Sequence, residues 1–136
     1  MNYTKKIQIE ARVLGDLVMN HIIPVATSYQ STLIDNVYKM RDLFPADKAA
    51  RLSAKNLEII EEIAEREIAI KAKVDELVEA RKVANRIANE REKAIAYHDV
   101  IAPKLDEIRY HIDKLELAVD DRLWTLPKYR ELLFVR

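Results

Sequence analysis

A chain of 136 residues can bury one real core and is short for two. Its 23 basic and 23 acidic side chains cancel and are interspersed, so no basic block marks nucleic acid or an anionic lipid surface. A single glycine argues against a β-rich or loop-rich fold, and the absence of cysteine excludes disulfides and thiolate metal sites.

The first helical pattern covers about residues 4–43. Ile7, Ala11, Leu14, Val18, Ile22, Val25, Tyr29, Leu33, Val37 and Met40 recur at steps of three or four, the period of one helix face. Phe44-Pro45 ends it, because proline lacks an N–H and drives its predecessor out of the α region. The second pattern covers about residues 47–87, with its stripe at Leu52, Ile59, Ile60, Ile63, Ile70, Val74, Leu77 and Ala84. Ser53 is placed to cap a restart, so a break near residues 51–53 is an alternative reading. Glu62–Arg66 and Glu67–Lys71 are i,i+4 pairs in the favourable order.

Asn89 followed by Glu92 predicts a capped helix start near residue 90. From there to about residue 123, Ile101, Leu105, Ile108, Ile112, Leu115 and Val119 form a heptad seam. Long helices joined by short turns must run back along one another. The expected fold is all-α: one domain over residues 1–136, an elongated antiparallel bundle of three long helices with a short C-terminal helical tail. Pro24 and Pro103 interrupt helices whose apolar period continues on both sides, so each predicts a kink rather than an end. Asn20, His21, His98 and Asp99 neighbour the carbonyls freed there, and a docking notch is the sharper alternative to simple shape.

Chemistry is sparse. A di-metal bundle needs Glu-x-x-His pairs on facing helices, but Val18, Ile95 and Ile108 stand three residues before His21, His98 and His111. Glu107 and His111 share a helix face, and one such pair is ordinarily a surface contact. There is no glycine-rich phosphate loop, and Ser28, Ser31 and Ser53 lack the sharp turn of a catalytic hydroxyl. Runs such as Glu58-Glu61-Glu62-Glu65 and Asp120-Asp121 read as solvated faces. No catalytic, cofactor or metal residue is expected, and the chain is not read as an enzyme on its own. The opening residues lack a signal-peptide pattern and no apolar run approaches the roughly 18 residues of a membrane span, so a soluble, cytoplasmic protein is expected.

The tail is the candidate contact surface. Trp124, Leu126, Pro127, Tyr129, Leu132, Leu133 and Phe134 concentrate apolar area after the heptad seam, with Pro127 suited to the first position of a short helix. They either close the end of the bundle itself or pack on a partner, where aromatic anchors are enriched.

Two blocks carry a family likeness. Ile9-Glu10-Ala11-Arg12 with Ile22-x-Pro24-x-x-x-x-Tyr29, and the terminal Trp124-x-x-Pro127-x-Tyr129 followed by Leu132-Leu133-Phe134, resemble the C-terminal region of type III glutamine synthetases. One departure is Thr125, where the family commonly places proline after the tryptophan. The resemblance covers nearly the whole chain, with specific motifs over about a third. It implies a C-terminal piece of a ligase that joins ammonia to glutamate using ATP and divalent metal in stacked hexameric rings. It also implies that the ATP and metal sites lie in the preceding catalytic body, and that Met1 replaces an upstream residue while Arg136 is a natural end. The expected partners are that catalytic body and neighbouring subunits in a homo-oligomer, with no nucleic acid or membrane. The alternative is a free-standing helical bundle that self-associates through its heptad seam.

Overall fold

The computed structural model describes residues 2–119. Asn2 caps the first helix, its side chain accepting the Lys5 N–H at 2.9 Å, and α1 runs Tyr3–Leu17 with Ile7, Ala11 and Leu14 buried. A single π turn, Val18–Ile22, leads without a break into α2, Ile23–Leu43. Phe44 is extended (φ −122°, ψ 158°), Pro45 follows, and α3 runs Ala46–Asn85 as one helix of 40 residues, roughly 60 Å long. After a short connection come α4, Glu90–Ala96, a second π turn, Tyr97–Ile101, and α5, Ala102–Ala118. The described residues are therefore all-helical, in three long rods: residues 3–43, α3, and residues 90–118.

The two π turns occupy the same place relative to a proline. Each ends two residues before it, so Pro24 and Pro103 are the second residues of α2 and α5. A proline ring in a regular helix would clash with the carbonyl four residues back. Opening the preceding turn relieves that crowding: Ile23 N–H reaches Val18 O, and Ala102 N–H reaches Tyr97 O, each five residues back. The proline then lies in a first α turn, where its missing N–H matters least.

The extra residue in the first π turn also shifts the buried stripe. Ile22 and Ile23 are both buried, and Ala26 takes the core position that a regular period assigns to Val25. Elsewhere the expected pattern is met. Ile101, Leu105, Ile108, Ile112 and Leu115 are wholly buried, facing Ile63, Ile70 and Leu77 of α3 in one continuous core. No break forms at residues 51–53, since Ser53 is buried inside α3. Asn89 does cap α4, accepting the Glu92 N–H at 3.0 Å. The third rod stops at Ala118 instead of running on to 123, with Val119 extended at φ −99°, ψ 141°.

Polar side chains record how the rods lie. Between the first rod and α3, Gln8 donates to Asn85 (3.2 Å), Thr27 to Glu67 (2.7 Å) and Gln30 to the Ile60 carbonyl (2.9 Å), while Asn56 donates to Asn36 (3.0 Å). Numbers rise along one rod as they fall along the other. Glu67 is thus engaged with Thr27, and not with Lys71 as the helical spacing suggested; Glu62 and Arg66 do pair, at 3.8 Å.

Asn85 is where the three rods are tied at one level. Its side-chain oxygen accepts from Gln8 of α1 and from the hydroxyl of Tyr97, a wholly buried residue of the second π turn. An unmade hydrogen bond at a buried hydroxyl costs free energy even when the bond itself is worth little net. We expect Asn85→Ala and Tyr97→Phe each to lower stability by about 1 kcal/mol in urea unfolding. The double variant should cost less than the two single losses combined. Strict additivity would show that the two groups are not coupled.

Candidate functional site

Titratable side chains gather along the seam between α3 and α5. On α3, Arg66 and Lys73 lie seven residues apart, two turns along one face; on α5, Glu107 and His111 lie one turn apart. The shared face of Glu107 and His111 is thus real, but each turns across the seam. Lys73 Nζ meets Glu107 Oε2 at 2.9 Å and Glu76 Oε2 at 3.3 Å. Arg66 Nη1 lies 3.1 Å from His111 Nδ1 and, being donor only, requires that nitrogen to accept. The Tyr110 ring, exposed beside His111, receives the Arg66 guanidinium and the Lys114 ammonium over its face.

The electrostatics follow from these contacts. Lys73, hydrogen-bonded to Glu107 and then Glu76, is held above the ordinary lysine value. Glu107, hydrogen-bonded to Lys73, is held below the ordinary carboxylate value. Both are open to solvent, so their pairing adds little to stability. His111 is pushed down, first by partial burial and then by the charges of Arg66 and Lys73, with Glu107 opposing. The arrangement clamps two helices around a neutral imidazole.

Of the notch residues, Asn20, His98 and Asp99 find partners within their own rods or at the start of α1. Asn20 donates to Asp16 at 2.6 Å, and His98 Nδ1 lies 2.9 Å from Asp99 with its ring 5.9 Å from that of Tyr3. The second π turn therefore lies beside the start of α1, about four turns from the first. The structure does not bring Asn20 and His21 together with His98 and Asp99. Among the described residues no group of three His, Asp or Glu side chains is gathered to hold a metal ion, and no helix is long and apolar enough to cross a membrane. A cleft of about 420 Å³ between α2 and α3, lined by Val37, Arg41, Ala49, Ser53 and Leu57 among others, brings few polar groups together. The tail residues Trp124, Leu126, Pro127, Tyr129, Leu132, Leu133 and Phe134, like Asp120 and Asp121, lie outside the described residues.

Three positions escaped the sequence pattern. Arg109 pairs with Glu10 across the seam between α1 and α5, Glu116 is wholly buried, and Tyr97 extends the heptad seam with a hydroxyl. Only Tyr97 had a signal, since it stands four residues before Ile101.

The described residues are thus an all-helical assembly whose polar contacts lie both within helices and between them. Residues 1–41 match the glutamine synthetase C-terminal domain family. A glutamine synthetase of Bacteroides fragilis is 52% identical over 134 residues, covering 98% of this chain. A type-3 glutamine synthetase of Dictyostelium discoideum is 27% identical over 134 residues, and a glutamine synthetase of Butyrivibrio fibrisolvens 22% over 133. The match to that family's model thus covers most of the first rod, and the likeness to glutamine synthetases runs along nearly the whole chain. The chain spans 18% of the length of each of these relatives.

His111 gives the seam a pH dependence of definite sign. Its folded-state value lies below that of the unfolded chain, so the unfolded state takes up the proton first as pH falls. Its contribution is complete above the ordinary histidine value, about 6.5, and is lost as pH falls from there toward the folded-state value. The thermal midpoint of the native chain should drop across that window more than that of His111→Gln. Equal slopes would show that folding does not shift the titration of the imidazole.

Proposed function

We propose that this chain is the non-catalytic structural and assembly domain at the C-terminal end of a type III glutamine synthetase. The observation that carries this is coverage. Similarity runs along 98% of the chain to relatives of which it forms 18%, one of them named a type-3 enzyme. In this reading the parent makes glutamine from glutamate, ammonia and ATP, and ATP and divalent metal bind in its catalytic body. The domain is an elongated antiparallel three-helix bundle, bent at Pro24 and Pro103. It packs against that body and neighbouring subunits of a cytoplasmic homo-oligomer. The use of Glu10, Asn85, Arg66, His111 and Lys73 in contacts between helices supports a scaffolding role.

Antibody raised against this chain should detect, in an extract of the source cells, a band several times larger than 15.8 kDa. Deleting residues 1–136 from that larger product should change its assembled mass by light scattering, and the chain alone should form no glutamine from glutamate, ammonia and MgATP. A native band at 15.8 kDa would overturn the parent-chain reading, leaving a free-standing bundle. Glutamine formation by the chain alone would overturn the non-catalytic one.

A further inference from the structure

The third rod stops short of the other two. A cleft lined by Lys55, Ile59, Glu62, Lys114, Leu117 and Ala118 sets the end of α5 level with Ile59 of α3. From there α3 extends back to Ala46, and α2 runs beside it to Leu43, for more than three turns or about 20 Å. Along that stretch Ala49 and Ser53 of α3 stay buried, 1–2% exposed, but the side that continues the stripe under α5 loses its cover. Ile63, Ile70 and Leu77, under α5, are 0–2% exposed; Ile59 is half-buried, and Leu52, seven residues before it on the same face, is 40% exposed. Leu43 at the tip is 74% exposed.

We propose that the C-terminal segment of this same chain, residues 120–136, covers the Leu52–Ile59 face of the α2–α3 tip and completes the core that α5 leaves unfinished. The inference does not depend on the parent enzyme. Three observations select this occupant. Val119 is buried and leaves α5 in extended conformation at the edge of the uncovered face, so the segment begins where the cover is missing. Residues 120–136 can span about 20 Å whether coiled or extended. The segment also carries Trp124, Leu126, Tyr129, Leu132, Leu133 and Phe134, the apolar area such a face needs. A tethered segment further meets its site at a high effective concentration, with no entropy of association to overcome as a second copy would have.

Trp124 is the only tryptophan, so its fluorescence reports on the segment directly. In the full 136-residue chain its emission should be blue-shifted and its quenching by acrylamide several-fold slower than for free tryptophan, unchanged on hundredfold dilution. Leu52→Asp should return both readings toward the free values while circular dichroism keeps the helices; Ile68→Asp, 69% exposed on another face, should leave them unchanged. If Leu52→Asp unfolds the chain, Leu43→Asp at the exposed tip gives the same comparison. Free-tryptophan quenching in the native chain would overturn the proposal. So would burial that vanishes on dilution, which assigns the face to a second copy, or burial that neither tip substitution disturbs.

Discussion

The burial of the third rod against α3 is the constraint on which the rest of this structure depends. Ile101, Leu105, Ile108, Ile112 and Leu115 lose all contact with water by facing Ile63, Ile70 and Leu77. Each fully buried side chain of this kind contributes about 1.5–3 kcal/mol relative to exposure. No exposed ion pair on the surface approaches that scale. Once this face is fixed, the position of the first rod follows, because Ile7, Leu14, Val18 and Ile22 complete the same cluster. The polar contacts at Asn85, Thr27, Gln30 and Lys73 then select one axial register among the many that greasy helices would tolerate.

The prolines show how a long helix absorbs a residue that cannot complete its hydrogen-bond ladder. Neither Pro24 nor Pro103 ends its rod. Both are met by the same local answer, a turn widened by one residue immediately upstream. The widened turns are also buried on one side, through Val18 and Ile22 in the first and Tyr97 and Ile101 in the second. The proline ring is the local cause of each widened turn, and packing of its buried side adds to what holds it in place.

Much of the fold was legible because it rests on periodicity and on local rules. The heptad seam, the Asn89 cap and the stop at Phe44-Pro45 depend on neighbours within a few residues, and each is found where spacing puts it. What escaped depends on partners far away in sequence. Nothing near Glu67 announces Thr27, and nothing near Glu10 announces Arg109. The shift from Val25 to Ala26 escaped for a different reason: a regular period cannot express a turn containing one residue too many. The candidate seam was half visible. Glu107 and His111 stand out as an i,i+4 pair, but their true partners, Lys73 and Arg66, lie on another helix. The family likeness was carried by short motifs near the two ends, which no argument from periodicity would have supplied.

The widened turns also make helix phase a stored quantity. Each residue of an α-helix rotates the next by about 100°, so a π turn carries one residue whose removal would restore the ordinary pitch. Losing one residue from Val18–Ile22 would bring back the proline clash and would change the facing of everything upstream relative to α2. The same loss at Tyr97–Ile101 would disturb the facing of α4 relative to α5. In these two segments the chain is therefore more tolerant of a changed side chain than of a changed length.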